Sequence, residues 1–441
     1  MAEKIRVRKI WVAMSTPFQA NFFSPLIKSL ENEFEFLVTA RNHDRIASIL
    51  DAKKIDYIVL GSHGGKDLGN KLETYAKNIQ EFLPIVQKEK PDLLLTERWP
   101  EAVRVAFGLN IPSWTLFYDE RETHVNQMVF PLASKIFAPR FYTFQELFQN
   151  GVTDPEKVVY FNGFHACYLK NETILPSDPY SKMGVKKPVI FVRPEPEFAT
   201  FFPKHEPILE TAVNSLLDYG EAGVVVLPRT ESQRDVYSAM GATVLQESFE
   251  DNPVAHADVV LGAAETMLME AFVLGKPCVS SIYWSPSKPV IELHRHVEHS
   301  TDPRLITHRV KRLIEDVEER RAFQQRAQLI VSSMDNPVQI MIDELKRLNE
   351  RDLTESIPKR RSQMEMLVDI IQAVSFSPLR PTHMMRIANV SYNEMKRIVE
   401  GLERRGLIVA ETTMSGKFYK ATEDGLKLLE SYKYLRQKLF D

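Results

Sequence analysis

Two cysteines in 441 residues, Cys167 and Cys278, are too few for a disulfide framework or a four-cysteine zinc site. Both stand among apolar neighbours and read as buried thiols. Glycine is scarce too: 17 of 441 residues is about 4%, against about 7% on average. Phosphate loops built from several glycines therefore have few places to be. Long apolar runs are missing as well. Stretches such as Ile58-Val59-Leu60 and Gly223 to Leu227 are strand-sized, far below the roughly 18 residues that span a bilayer. No membrane span is expected. The first nine residues are charged and lack the apolar stretch and cleavage site of a signal peptide, so the chain reads as cytoplasmic. What is present, 44% hydrophobic and 26% charged residues, is the balance of soluble globular protein. At roughly 100–200 residues per domain, the length implies two to four domains.

The near-neutral total hides an asymmetry. Residues 359–441 hold 15 Lys+Arg and 10 Asp+Glu, a balance of +5; the other 358 residues hold 41 and 49, a balance of −8. A basic tail follows an acidic body.

From residue 9 short apolar runs alternate with longer amphipathic ones: Lys9–Met14, a helix over Asn21–Glu31, Phe34–Thr39, a helix over Asp44–Lys53, then Asp56–Leu60. This is the βαβαβ rhythm of a parallel sheet. It continues through a helical pattern near Asp67–Lys88, strands at Asp92–Thr96 and Ser113–Tyr118, and short elements to Tyr160. A second series opens after Leu175–Lys187, with strands at Pro188–Arg193, Gly223–Pro228, Thr243–Gln246, Asp258–Gly262 and Pro277–Ile282. Pro303–Met334 and Pro337–Leu348 read as helical, the latter able to cross back over the first half. The expected fold is α/β: two tandem Rossmann-like domains, residues 1–175 and 176–348, with a ligand cleft at the carboxyl ends of their strands. After a charged linker, 349–361, the pattern changes. Helices at Met364–Val374, Pro381–Ala388 and Ser391–Arg404, a hairpin turning near Ser415-Gly416, and a last helix Glu423–Phe440 give winged-helix order over 362–441.

Several motifs carry a resemblance: Ser15-Thr16-Pro17-Phe18, Asn21 to Leu30, His63-Gly64-Gly65-Lys66, Pro100-Glu101-Ala102, and GAAETMLMEAFVLGKP from Gly262 to Pro277. Over about residues 7–345 the chain resembles a largely archaeal family, domain of unknown function 354. That family is similar to two-Rossmann (GT-B) glycosyltransferases and to UDP-N-acetylglucosamine 2-epimerases. Residues 362–441 resemble archaeal winged helix-turn-helix modules. The chain also departs from the family. Where members usually place histidines in the first strand-to-helix loop, this chain has Gln19 and Asn21. A glycine-rich turn before the Glu-Ala helix is replaced by Ala263-Ala264-Glu265-Thr266, so Glu265 can occupy the field of that helix N-terminus.

The resemblance implies that Glu270 accepts ribose hydroxyls of a UDP-type nucleotide-sugar, with Thr16 and Thr266 as further ligand contacts. Thr266 reads equally as a helix cap. Arg193 and Arg229 end two predicted parallel strands, where guanidinium groups clamp phosphate or carboxylate, or else pair with Glu195, Glu197 or Glu231. Asp119, Glu120 and His124 crowd titratable groups into the loop after another strand and are the candidate acid–base residues; Glu97 and Glu101 flank a fourth strand end. The loop Gly61 to Lys66 lacks Walker spacing and reads as a tight turn rather than a phosphate nest. His294 and Glu298, one helical turn apart, are a weak metal motif, and no metal or obligatory cofactor is expected. In the tail, Tyr392, Asn393, Lys396 and Arg397 line the recognition helix, while Arg404, Arg405 and Lys417 stand ready for phosphates of duplex DNA. Leu426, Leu428, Leu429, Tyr432, Leu435 and Leu439 give the last helix an apolar stripe suited to a homodimer. The expectation is a ligand-responsive DNA-binding regulator with degenerate catalytic loops; the alternative is an active glycosyltransferase or epimerase whose winged helix mediates association.

Overall fold

The computed structural model describes all residues except 1–6, 43–44, 66, 172–177, 197–207, 246–251, 351–362, 377, 382–383, 386–391, 414–415 and 441. The chain divides into two compact units, Met1–Glu350 and Arg351–Asp441.

In the first unit, seven strands form one parallel sheet: β1 (Lys9–Met14), β2 (Glu35–Ala40), β3 (Ile58–Val59), β4 (Leu93–Thr96), β5 (Ser113–Leu116), β6 (Lys135–Pro139) and β7 (Val158–Phe161). Their order is β3-β2-β1-β4-β5-β6-β7. Six more form a second parallel sheet: β8 (Val189–Arg193), β9 (Gly223–Val226), β10 (Thr243–Val244), β11 (Val259–Gly262), β12 (Cys278–Ser280) and β13 (Glu298–His299), in the order β10-β9-β8-β11-β12-β13. Each sheet reverses direction of growth beside its first strand, between β1 and β4 and between β8 and β11. Such switch points open a crevice at the strand carboxyl ends.

The strands form because their apolar runs bury both faces: β1, β4, β5 and β11 are buried almost throughout, as a sheet covered by helices on two sides requires. Helix starts follow local chemistry. Pro17, Pro100 and Pro303 stand in the first turn of their helices, and Thr16, Asp67, Thr230 and Asp302 accept from backbone amides as caps. The helical stretch read over Pro303–Met334 is divided in two at Asp316. That residue ends the helix Pro303–Glu315 in an extended conformation and caps the helix Val317–Ser332 through Glu319 N at 2.9 Å.

A single apolar core runs through both halves of this unit, with Phe164 edge-on to Phe272 at 6.1 Å. A second core on the other face of the first sheet holds Trp11, Phe82, Trp99, Phe117 and Tyr142. The helix Pro337–Glu350 packs on the helix Pro17–Leu30 of the first half. Met341, Ile342 and Leu345 are buried, and ion pairs join Lys346 to Glu33 at 3.1 Å and Lys135 to Glu344.

The second unit has helices Gln363–Phe376, Tyr392–Arg404 and Glu423–Phe440 and an antiparallel hairpin, β14 (Ile408–Thr413) and β15 (Gly416–Ala421). Leu379 bridges to Tyr419, adding the short third strand of a winged helix. The expected helix Pro381–Ala388 falls mostly outside the described residues, as does the Asn389-Val390 turn; Pro381, Met384 and Met385 are helical. Leu429 is buried, and Leu428 and Tyr432 pack on this unit's own core, so the stripe on the last helix is partly spent internally. Among the described residues no helix is long and apolar enough to cross a membrane.

Candidate functional site

The crevice of the first sheet is lined from the ends of β1, β4 and β5. Thr16 caps its helix by accepting from Gln19 N, and the buried Gln19 side chain ties the loop together. Its Oε1 accepts from Ser15 N at 2.6 Å, while Nε2 donates to Ser15 Oγ at 3.1 Å and to Glu97 Oε2 at 2.9 Å. Glu97 pairs on its other oxygen with Arg98, Nη2 to Oε1 at 3.1 Å. Burial raises the Glu97 carboxyl above the usual range, against the opposing pull of Arg98 and the Gln19 bond. Arg98 adopts φ of 60°, a left-handed conformation that costs a non-glycine residue about 1–2 kcal/mol and gathers at functional sites. Its guanidinium also reaches Asp119 O and Asn126 Oδ1, at 3.3 and 3.1 Å.

His165 enters the same wall from the segment after β7. It is 1% exposed and packed against Phe18, Tyr118 and Phe161. Burial, then the nearby Arg98 charge, pushes its pKa down to about 3, so the imidazole is neutral across the physiological range. No motif in the sequence marks it, because its neighbours in the crevice come from distant strands.

Opposite stands the helix Glu265–Val273, which follows β11. Its N-cap, Ala264, offers no side-chain hydrogen bond, so the first amides of the helix lack a side-chain cap. Thr266 lies inside the helix and does not cap it; its hydroxyl meets Tyr118 Oη from the first half at 2.7 Å. Glu265 is held by Arg121 Nη1 at 2.9 Å and by the Ser287 hydroxyl at 2.7 Å. Arg121 in turn donates from Nε and Nη2 to Asp119 at 2.9 and 2.6 Å, and from Nη1 to Ser285 O at 2.7 Å.

One guanidinium thus sits between two largely buried carboxylates from opposite halves, their side chains 8% and 12% exposed, and it treats them unequally. For Asp119 burial is the largest influence, yet two side-chain bonds and the amide of Arg121 outweigh it and hold the pKa below the usual carboxylate range. For Glu265 burial prevails over Arg121 and Ser287, and the pKa is raised. Glu120 is also drawn across: it accepts from Tyr142 Oη at 2.6 Å and from Lys288 N at 2.7 Å, while Lys288 Nζ pairs with Glu146 at 2.5 Å. Glu270 accepts from Tyr168 Oη at 3.1 Å. His124 lies on the exposed face of the helix Thr123–Val129, apart from the interactions of Asp119 and Glu120.

Arg193 and Arg229 brace the loops after β8 and β9. Arg193 Nη1 donates to Leu227 O and Pro228 O, both at 2.9 Å, and Arg229 Nε donates to Pro194 O at 3.1 Å. Glu195, fully buried, accepts from Leu209 N at 2.9 Å; Glu197 lies outside the described residues. The metal motif is corrected by the backbone. The helix Lys288–Leu293 ends before His294, and Glu298 belongs to β13, where it pairs with Arg309 and Arg312. Among the described residues no cluster of three His, Cys, Asp or Glu side chains is placed to hold a metal ion.

In the winged helix, Lys396 and Arg397 are exposed on the helix Tyr392–Arg404, whose Met395, Ile398 and Val399 are buried. Tyr392 and Asn393 open that helix. Arg404 and Arg405 donate to Glu400 O and Gly401 O at its carboxyl end, where cations oppose the helix dipole. Lys417 projects from the hairpin, 4.9 Å from the Tyr419 ring centre and 3.9 Å from Glu403. Arg380, not singled out by the sequence, lies over the Phe418 ring at 5.1 Å.

Comparison with known proteins places the fold. Residues 360–440 match a winged helix-turn-helix family. An uncharacterized protein of Methanocaldococcus jannaschii is 27% identical over 288 residues, which is 62% of this chain and 81% of that protein. The structure of S. aureus MnaA with UDP is similar with a TM-score of 0.59 at 20% identity, covering 77% of this chain and 96% of that one. The M. jannaschii UDP-GlcNAc 2-epimerase in complex with UDP-GlcNAc and UDP has a TM-score of 0.55 at 13% identity, covering 77% and 99%. The fold of the first unit is therefore that of the GT-B epimerases. With residues 8–350 matched by the family described as protein of unknown function (DUF354), the chain belongs to that family, joined here to a winged helix.

Proposed function

We propose that the first unit binds a UDP-type nucleotide-sugar in its crevice and that occupancy regulates DNA binding by the winged helix. The observation that carries this reading is the set of contacts across the crevice: Arg121 to Glu265, Tyr118 to Thr266, Glu120 to the Lys288 amide and Tyr168 to Glu270. Groups suited to a ligand are already engaged with one another. A diphosphate at the start of the helix Glu265–Val273 must displace the Arg121–Glu265 pair, and a ribose at Glu270 must take the place of the Tyr168 hydroxyl. Binding is thereby coupled to rearrangement of the two halves, which suits a sensor. The neutral Gln19 in place of a proton-transfer group fits slow chemistry or none. Arg193 and Arg229 supply positive charge at the strand ends once released from backbone carbonyls.

DNA contact rests on Lys396 and Arg397, with Tyr392 and Asn393 at the start of the helix and Arg404, Arg405 and Lys417 toward phosphates. A homodimer through the last helix would use Leu426, which is 44% exposed, since Leu428, Leu429 and Tyr432 pack within the unit.

A second reading, an active epimerase or glycosyltransferase, draws on one observation. Glu97 is a buried carboxyl with a raised pKa beside Arg98, the environment of a proton donor; Asp119 and Glu120 would then serve beside it. Calorimetry with UDP and UDP-GlcNAc on the full chain tests both readings. Binding should weaken at least about tenfold, or about 1.4 kcal/mol, in Glu270→Ala and in Arg193→Ala at unchanged folding. Release of UDP should be slow or absent. Rapid release abolished by Glu97→Gln would replace the regulator with the enzyme.

A further inference from the structure

A second polar cluster lies in the first half, at the carboxyl ends of its outer strands. Arg41 follows β2, Gly61 and Ser62 follow β3, and Trp99 follows β4, so three strand ends meet there. The Arg41 guanidinium lies 4.8 Å from the centre of the Trp99 ring. Trp99 is fully buried, wedged edge-on to Phe82 at 4.9 Å, and Gly61 comes so close that a Cβ there would stand 2.9 Å from Trp99 Cζ2. Gly61 has φ of 81°, so both its conformation and its lack of a side chain are needed.

Two donors in this cluster are buried without an acceptor among the described residues, Arg41 Nε and Trp99 Nε1. Leaving such groups unpaired is costly, and more so for a charged one. Burial lowers the pKa of Arg41, and Glu101 offsets only part of that cost. The loop amides are already engaged: Gly61 N with Glu81, Ser62 N with Asn78 and Gly65 N with His63. Asn78 also donates to Glu101 at 2.8 Å, fixing that carboxylate within the cluster. Lys66, at the end of the loop, lies outside the described residues.

We infer that Arg41 and Trp99 form a second ligand site, for the carboxylate group of a small acid, distinct from the crevice between the halves. An arginine stacked on an indole presents its charge in the geometry that oxyanions take, and the indole N–H supplies a second donor. Glu101 and Glu81 limit the negative charge that the site accepts, which favours a singly charged carboxylate over a phosphate dianion. A nucleotide-sugar sensor with such a site reads two small molecules rather than one.

The test uses the full chain with its four tryptophans labelled with 15N, the Trp99 indole resonance assigned through Trp99→Phe. Titration with acetate should move that resonance and leave the Trp11 signal, whose N–H is bonded to Thr39, in place. The apparent affinity should fall at least about tenfold in Arg41→Gln. Glu101→Gln, which keeps Arg41 and an acceptor for Asn78, should strengthen acetate binding. Inorganic phosphate should act only at higher concentration, and UDP binding should be the same in Arg41→Gln as in the wild type. A Trp99 signal unmoved by acetate in both wild type and Glu101→Gln, or moved equally in Arg41→Gln, would overturn the assignment, as would an equal response to phosphate.

Discussion

Arg121→Ala should lower the stability of the first unit by about 3 kcal/mol at neutral pH, the cost of removing one partner from a buried ion pair. The reason lies in what remains. Asp119 is buried and the Glu265 side chain is 12% exposed, and without the guanidinium between them each loses its ion-pair partner while the other stays close by. The effect depends on pH in a defined direction. Asp119 has its pKa lowered in the folded protein, so its contribution is present above the unfolded value of about 4 and is lost as pH falls through the folded value. Glu265, whose pKa is raised, opposes folding above that value. In the variant both carboxyls rise, so the deficit against wild type should be largest near pH 7 and shrink as the pH falls through those raised values toward the lowered Asp119 value of the wild type. Glu265→Gln in the Arg121→Ala background should restore at least about 1 kcal/mol, a coupling that two independent sites would not show. Denaturant unfolding at several pH values checks this. A loss under about 0.5 kcal/mol at pH 7, or strict additivity of the two substitutions, would show that the pair does not join the halves energetically.

The paired substitution Lys396→Ala, Arg397→Ala should remove most affinity for duplex DNA. Both side chains are exposed on the helix whose opposite face is the module's core, so their loss leaves packing untouched. Each phosphate contact contributes about 0.9 to the slope of log affinity against log salt, and the slope should fall by about 1.8 if both residues meet phosphates. A smaller change in slope with relaxed sequence preference would place one of them on a base edge instead. Gel retardation across a salt series, with circular dichroism to confirm folding, separates these outcomes. Equal binding by variant and wild type would leave the winged helix as an association module. Arg404 and Arg405 should matter less, because their guanidinium groups already serve the carboxyl end of their helix.

The parallel-sheet framework is legible in the sequence because runs such as Lys9–Met14 and Gly223 to Leu227 are apolar on both faces, and because prolines and capping residues mark helix starts. Asp316 was hidden by helix-compatible neighbours on both sides. The two-residue strand β13 was hidden in a charged stretch, where His294 and Glu298 suggest a helix face. At the site, sequence spacing identifies the strand ends and so points to Arg193 and Arg229, while the family resemblance points to Thr266 and Glu270. It does not supply their partners. Arg121 to Glu265 and Tyr118 to Thr266 join residues from opposite halves, and only the packing of the two sheets through a shared core brings them together. His165 and Trp99 are silent for the same reason: burial and missing hydrogen bonds are properties of the fold, not of the local sequence.

The most direct measurement is the affinity of the full chain for a selected duplex with and without saturating UDP-GlcNAc. A ligand coupled to a DNA-binding equilibrium changes affinity by about 5–150-fold, or about 1–3 kcal/mol, and DNA must change the affinity for UDP-GlcNAc by the same factor. The account predicts such a reciprocal change, weakened at least about tenfold in apparent UDP-GlcNAc affinity by Glu270→Ala. Identical DNA affinity at saturating UDP-GlcNAc, with calorimetry showing the sugar nucleotide bound, would contradict it.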